Sequence, residues 1–217
     1  MRRIEEGIRL ADKIAPEYSI IMQWVDPGSS VLDLGCGDGK LLSFLVQQRK
    51  IRPQGIDIDE SMIQKCVERG LSVFNQDIDT GLSEYPDKSF DYVILNNSLQ
   101  QVKKPDYVLN EGLRVGRKTI VSFPNFAHYS SRFQIFFGGK VPITHALPYA
   151  WYDTPNLHFL SISDFFEFCT KRGIRTKEFA FTSGERRVRF FSNFFAETGL
   201  FVLSNEKNSN GDKNGRA

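Results

Sequence analysis

The stretch VLDLGCGDGK, residues 31–40, constrains the fold of this chain more than any other part of the sequence. A short apolar run that ends in closely spaced glycines and leads into a helix predicts a buried strand and a tight turn whose backbone can touch a ligand. A dinucleotide fingerprint would have its third glycine where Lys40 stands, and Asp33 would repel a diphosphate. Asp33 suits a ligand that carries an ammonium group.

Strand and helix patterns alternate along most of the chain. Apolar runs predict strands that begin near residues 30, 52, 71, 89 and 118, with helical segments between them, and two more strands near residues 174 and 194. Such alternation is typical of a parallel sheet with helices on both faces. We therefore predict an α/β three-layer sandwich with a mostly parallel sheet and a last hairpin.

The length of 217 residues fits one domain, which we place at residues 1–204. The polar stretch NEKNSNGDKNGRA has no hydrophobic anchor, and we expect residues 205–217 to be a disordered tail. Residues 125–160 break the strand–helix alternation, and we predict an irregular aromatic insertion there. Within it, PYAWYDTPNLHFLS combines many aromatic rings with two prolines that prevent a single regular element.

Composition argues against several classes of partner. The net charge of +2 gives no reason to expect a nucleic-acid or anionic membrane partner. Cys36, Cys66 and Cys169 lie far apart without histidines at metal spacing, so we expect reduced thiols in a cytoplasmic protein and no metal site. We find no run of membrane-spanning length, and we interpret the start MRRIEEGIRL as neither a signal peptide nor an anchor.

Two acids after the glycine turn indicate what the ligand contains. Asp57 ends the strand RPQGID about twenty residues after Gly35, where a carboxylate can accept both hydroxyls of a ribose. Asp77 ends the next strand and can accept a proton from an adenine amino group, while Ile78 supplies apolar contact. Helix capping is the alternative for each acid and is the role that we prefer for Asp59. Because they follow strands, Asp33, Asp57 and Asp77 are expected at the ligand edge of the sheet.

The motifs VLDLGCGDG, GIDID, QDID and DKSFDYVILNNSLQQV together resemble those of the class I S-adenosylmethionine-dependent methyltransferases. The resemblance implies a Rossmann-like fold with a mostly parallel seven-stranded sheet and an antiparallel last strand. It also implies S-adenosylmethionine or S-adenosylhomocysteine as cofactor. The residues that it implies for the cofactor are Asp33, Gly35 and Gly37 at the methionine moiety, Asp57 at the ribose, Asp77 and Ile78 at the adenine, and Asn96 under the sulfonium, together with Cys36 and Ile58.

A narrower resemblance covers the chain from Val31 to about Phe168. Gln100 and Gln101 stand where the fourth motif often has a histidine pair, and the link LRVGRKTIVS lacks the usual proline and glycines. With the segment SFPNFAHYSSRFQIFFGGKVPITHALPYAWYDTPNLHFLSISDF, these departures resemble the MetW family of methionine biosynthesis. The resemblance implies homoserine O-acetyltransferase as a partner, and we know of no methyl acceptor that defines the family.

The sequence contains no clear catalytic base. Methyl transfer from a sulfonium depends mainly on positioning, but an alcohol or ammonium acceptor must lose a proton to some group. We name Tyr152 and His158 as catalytic candidates, although a histidine in an aromatic segment is more often structural and a tyrosine would need a much lowered pKa.

The aromatic segment has three interpretations. Trp151, Tyr152 and His158 could close over the cofactor and form an acceptor pocket, or RFQIFFGGKVP and LPYAWYDTPN could dock a partner enzyme. The rings could also only cover the sheet edge. We favour a mixed role, in a regulatory binding protein or in a small-molecule methyltransferase of unknown acceptor. For the basic loop with Arg186, Arg187 and Arg189 we expect only a solvated edge.

Overall fold

The computed structural model describes residues 15–205, so the opening MRRIEEGIRL and the tail residues 206–217 lie outside the described residues. The strands are β1 (Ser30–Leu34), β2 (Arg52–Asp57), β3 (Val73–Asn75), β4 (Phe90–Asn96), β5 (Gly116–Pro124), β6 (Arg175–Ser183), β7 (Arg186–Arg187) and β8 (Thr198–Ser204). The helices are α1 (Pro16–Trp24), α2 (Lys40–Arg49), α3 (Glu60–Glu68), α4 (Pro105–Val115), α5 (Tyr129–Gly138), α6 (Ile162–Lys171) and α7 (Ser192–Phe195). Short 3₁₀ turns follow β3 and β4 at Ile78–Thr80 and Leu99–Gln101.

Within residues 15–205, the eight strands form one sheet in the order β3-β2-β1-β4-β5-β8-β6-β7. β1 to β5 pair in parallel, and β8 lies antiparallel between β5 and β6. The predicted mostly parallel α/β sheet with an antiparallel last strand is confirmed. The one strand beyond the predicted seven is β7, a two-residue pairing of the basic loop with the end of β6.

The core lies in two layers on opposite faces of the sheet. Alternate residues of β4 face opposite sides, so that Val93 and Leu95 pack with α4 and α6, while Tyr92 and Ile94 pack with α1, α2 and α3. Strands buried on both faces give the near-continuous apolar runs from which the sequence predicted a parallel sheet. The molecule is therefore a three-layer sandwich.

Capping side chains fix where two of the helices begin. Asp59 accepts a 2.8 Å hydrogen bond from the Ser61 backbone N–H and starts α3, as the sequence predicted. At α6, Ser161 and Asp164 form a reciprocal capping box. Because Asp59 caps α3 only two residues after β2 ends, the chain turns from strand to helix at the carboxyl edge of the sheet.

The segment 125–160 contains one regular element, the helix α5, in a stretch predicted to be irregular. The sequence YSSRFQIFFG has aromatic residues on several sides, and only Ser131 of this helix is buried. Without an apolar stripe facing the core, its periodicity gave no helical signal. Across residues 15–205, no helix has the length and apolar character needed to cross a bilayer.

Candidate functional site

The glycine turn between β1 and α2 requires glycine for both conformation and space. Gly35, Gly37 and Gly39 have φ angles of 78°, 54° and 74°, in the left-handed region that favours glycine. A Cβ at Gly35 would lie 2.8 Å from the Cβ of Ser98. The turn therefore brings bare backbone to the carboxyl edge of the sheet, beside the segment that follows β4.

A cleft of about 670 Å³ opens at this edge, within the usual size range of small-molecule sites. It is formed where β1, β2, β3 and β4 end. Of the residues predicted to bind the cofactor, seven line it: Gly35, Gly37, Asp57, Ile58, Asp77, Ile78 and Asn96.

Asp57 is fixed by backbone groups on both sides. Its Oδ2 accepts a 2.7 Å hydrogen bond from the Gly37 N–H, and its Oδ1 accepts a 2.9 Å bond from the Asp59 N–H. A carboxylate offers about four acceptor sites, so these two bonds leave it able to accept from two ligand hydroxyls. The carboxylate is half-buried at the cleft wall and is already oriented there.

Asp77 caps a turn and also lies at the wall of the cleft. Its Oδ1 accepts a 2.9 Å hydrogen bond from the Asp79 N–H and caps the turn Ile78–Thr80, and the residue also lines the cleft. Asp79 in turn accepts hydrogen bonds from the backbone N–H groups of Lys103 and Lys104. The two bonds to Asp79 tie this wall of the cleft to the segment after β4.

Asn96 closes the opposite wall at the end of β4. Its Oδ1 accepts a 2.6 Å hydrogen bond from the hydroxyl of Ser122 in β5. The next residue, Asn97, has a φ of 55° and its N–H donates to the backbone oxygen of Ser122 at 3.0 Å. These bonds bend the chain so that Asn96 and Asn97 both line the cleft.

Asp33 does not line the cleft, although it lies two residues before Gly35. Its side chain is buried, and among residues 15–205 no partner is found for its Oδ1. Burial, with a smaller contribution from the negative charge of Asp57, raises the pKa of Asp33 to about 7. A buried carboxyl without a partner is costly, so the position favours a nearby cation or a proton.

Cys36 is also absent from the cleft lining. Its side chain is buried against Cys66, with 4.0 Å between the two sulfurs, and burial raises the pKa of its thiol. The thiol is thus inert and contributes to packing between the glycine turn and α3. The backbone N–H of Cys36 donates to Ile56, which helps to hold the turn.

The two catalytic candidates lie outside the cleft. Tyr152 and its neighbour Trp151 are 74% and 72% exposed, and His158 lines a separate groove with Leu99 and Gln100. Tyr149, which was not among these candidates, is the aromatic residue of the segment that reaches the cleft. In a proline-flanked segment without periodicity, sequence spacing gives no signal for which ring turns inward.

Several further cleft residues were not predicted. They follow β2, β3 or β4 closely or lie in α3, and placement after a parallel strand was the available signal for most of them. They are Asp59, Met62, Gln76, Asp79, Asn97, Ser98, Gln101, Val102 and Lys103.

A second cavity of about 280 Å³ adjoins the cleft and shares Asn97, Gln101 and Tyr149 with it. The side chains of Glu17, His145 and Glu197 are among the polar groups that line this cavity. No lysine or arginine is among its described lining residues. Within residues 15–205, no group of histidine, cysteine and acidic side chains could hold a metal ion.

The sheet order, the glycine turn and the cleft at the carboxyl edge define the fold of the class I S-adenosylmethionine-dependent methyltransferases. A solved methyltransferase of this class from Archaeoglobus fulgidus matches with a TM-score of 0.64 at 17% identity, over 86% of this chain and 90% of that one. The [4+2]-cyclase SpnF matches with a TM-score of 0.62 at 16% identity, over 86% and 79%. At these identities the likeness establishes the fold alone.

The chain belongs to the MetW family. The family described as "Methionine biosynthesis protein MetW" matches residues 15–203. A curated relative, the bifunctional methionine biosynthesis protein MetXA/MetW of Rhodopirellula baltica, is 38% identical over 153 residues, which are 66% of this chain and 25% of that protein. The chain thus spans about a quarter of that relative's length.

Proposed function

We propose that this chain binds S-adenosylmethionine or S-adenosylhomocysteine in the cleft and supports a homoserine O-acetyltransferase. The observation that carries the proposal is the preorganised carboxylate of Asp57, held against the Gly37 N–H at the wall of the cleft. An acid fixed in this way is suited to a ribose, and the neighbouring acids leave no favourable place for a diphosphate. The bare backbone at Gly35 and the unpartnered Oδ1 of Asp33 fit a ligand with an ammonium group.

Each part of the cofactor has a matching set of residues. Gly35 and Gly37 would hold the methionine moiety near Asp33, and Asp57 would accept the ribose hydroxyls. Asp77, Ile58 and Ile78 would bind the adenine by one hydrogen bond and two apolar contacts, and Asn96 would lie near the sulfonium. When bound, S-adenosylmethionine supplies a methyl group on a positively charged sulfur.

Two observations support the accessory role: the name of the Rhodopirellula baltica relative, and the distance of both catalytic candidates from the cleft. The Rhodopirellula baltica protein is named as a bifunctional protein that combines MetXA and MetW. In the chain described here, Tyr152 and His158 lie away from the cleft, whereas Tyr149 lines it. We infer that the segment 148–161 covers the cofactor through Tyr149 and presents Trp151 and Tyr152 outward. Cofactor and partner could then influence each other's binding.

The test is sedimentation velocity on a mixture of this chain and the homoserine O-acetyltransferase of the same organism. We expect a faster-sedimenting complex, with a stability that changes when S-adenosylmethionine is added. Two species that sediment independently at concentrations well above micromolar would contradict the accessory role. Cofactor binding is tested separately by calorimetry on the chain alone.

The second candidate function is a small-molecule methyltransferase, and one observation favours it. The 280 Å³ cavity beside Asn97 and Tyr149 could hold an acceptor next to the cofactor, with Glu17 or His145 to take its proton. The fold does not decide between methyl transfer and the accessory role, because one fold can host unrelated chemistries. A cell extract and cofactor with a radiolabelled methyl group provide the test. If label is never transferred to any acceptor, this function is excluded.

A further inference from the structure

The helix α5 carries an unusual amount of uncovered aromatic surface. Phe136 and Phe137 are 80% and 76% exposed, and Phe133 is 52% exposed. A surface helix normally turns its apolar stripe towards the core, but Ser131 is the one buried residue of α5. The apolar side of this helix is therefore left largely uncovered by the rest of residues 15–205.

Ring contacts extend this surface to the short helix α7. Phe136 contacts Phe137, which contacts Phe133, with ring centroids 4.9 Å and 5.8 Å apart. Tyr129 then contacts Phe133 at 6.3 Å and Phe194 at 5.8 Å. Phe190 and Phe191 immediately precede α7 in the chain, and both are exposed. We call these eight residues the aromatic face: Tyr129, Phe133, Phe136, Phe137, Phe190, Phe191, Phe194 and Phe195.

Phe191 combines a strained backbone with an exposed side chain. It has a φ of 47°, a conformation that side-chain-bearing residues rarely adopt, and its carbonyl accepts hydrogen bonds from Phe194 and Phe195 at the start of α7. Its side chain is nevertheless 81% exposed. Internal packing gives no reason for a phenylalanine at this strained and solvated position.

The area of the aromatic face matches a protein interface. At roughly 200 Å² per aromatic side chain, its five most exposed phenylalanines present roughly 700 Å² of apolar surface. The largest apolar patch on an ordinary monomer is about 300–600 Å², and each side of a standard protein complex buries about 800 Å². A globular protein is thus the occupant that this surface fits.

Basic residues lie in the same chain segments as the aromatic face. Arg132 lies over the Phe194 ring at 5.5 Å, Lys140 follows α5, and Arg186, Arg187 and Arg189 precede Phe190. All five residues are exposed, and the stretches 129–140 and 186–195 contain no aspartate or glutamate. We call these five basic residues the basic rim of the aromatic face.

We infer that the aromatic face, with its basic rim, is the surface on which the partner enzyme docks. The inference rests on the proposed function for the partner's identity. The matching surface of that enzyme would have an apolar centre and an acidic rim. Opposite charges at the rim speed association more than they add affinity, whereas the central phenylalanines hold the complex together.

The test is the Kd between the full-length chain and the purified acetyltransferase, measured by calorimetry for three exposed-phenylalanine variants. We expect Phe136→Ser and Phe191→Ser each to raise the Kd by about thirtyfold, the effect of a strong interface contact. Phe74→Ser is the matched control, because Phe74 is 51% exposed on β3 at the far edge of the sheet. It should change the Kd less than about twofold. Thermal melts of all three variants check that the fold is kept.

The possible outcomes separate the two proposals. A wild-type complex that is unaffected by Phe136→Ser and Phe191→Ser would overturn the docking surface and leave the proposed function standing. No complex with the wild-type chain would overturn both. Association of the chain with itself, or with anionic lipid vesicles, that is lost in Phe136→Ser would show another occupant and also overturn the inference. Slower association of Arg189→Glu at low salt, with a difference from wild type that shrinks as salt is added, would support it.

Discussion

The backbone N–H of Gly37 donates a 2.7 Å hydrogen bond to Oδ2 of Asp57, so the glycine turn after β1 and the acid that ends β2 form one structural unit. The second oxygen of the same carboxylate accepts from the Asp59 N–H at the start of α3. A ligand that binds to Asp57 therefore finds the turn already in position. Preorganisation of this kind reduces the entropy that binding costs.

Asp57→Ala should weaken S-adenosylmethionine binding by about 1–3 kcal/mol, because ligand hydroxyls would lose a charged acceptor and the turn would lose its anchor. Titration calorimetry measures the change. Glu60→Ala is the control, since Glu60 is an exposed acid in the first turn of α3 and is not among the cleft-lining residues. Equal affinity of wild type and Asp57→Ala would show that the ribose assignment is wrong.

Gly35→Ala should lower the free energy of unfolding by about 2–4 kcal/mol, since it adds both left-handed backbone strain and a steric clash with Ser98. Gly37→Ala is a matched comparison: its φ is also positive, but no atom lies within 4 Å of the added Cβ. It should cost only about 1 kcal/mol. Urea unfolding measures both variants, and equal costs would refute the proposed crowding at Gly35.

Tyr149→Ala should weaken cofactor binding about tenfold, because Tyr149 is the ring of the aromatic segment that lines the cleft. Tyr152→Ala should leave the affinity unchanged, since Tyr152 is 74% exposed and lies outside the cleft. The two variants remove the same side chain three positions apart. If Tyr152→Ala has the larger effect in calorimetry, the segment covers the cofactor in a different way.

Asp33 should make the ligand-free protein less stable as the pH rises. Its pKa is raised from 3.8 to about 7 in the folded chain, so between these values the folded state holds a proton that the unfolded state has lost. The contribution of Asp33 to stability is therefore present below about pH 4 and is lost as the pH rises to about 7, by about 2–4 kcal/mol. Asp33→Asn cannot titrate and should lose less stability between these pH values. Urea unfolding at about pH 5 and about pH 8 gives the comparison, and parallel pH profiles would contradict the account.

Much of this arrangement could be predicted from the sequence because parallel strands impose it. A buried strand reads as an apolar run, and the residue after it must lie at the carboxyl edge of the sheet. This reasoning brought Gly35, Asp57 and Asp77 to one cleft, and the family resemblance added Asn96. The resemblance also named Cys36, whose side chain turns towards Cys66 and the core although its neighbours line the cleft.

The aromatic segment could not be predicted in the same way. Between Pro148 and Ser161 no helical or strand period fixes the direction of side chains. The choice of Tyr152 and His158 over Tyr149 therefore had no geometric basis. In the structure, the backbone oxygen of Gln100 accepts hydrogen bonds from the N–H groups of Leu157 and His158. That long-range contact helps to place His158 in the neighbouring groove and has no signature in the local sequence.

The most direct test of the central claim is the rate of homoserine acetylation by the purified acetyltransferase, with and without this chain and with and without S-adenosylmethionine. The account predicts a clear rise on adding the chain, and a further change when the cofactor is present that the Asp57→Ala variant does not reproduce. An acetylation rate that stays the same under all four conditions would contradict it.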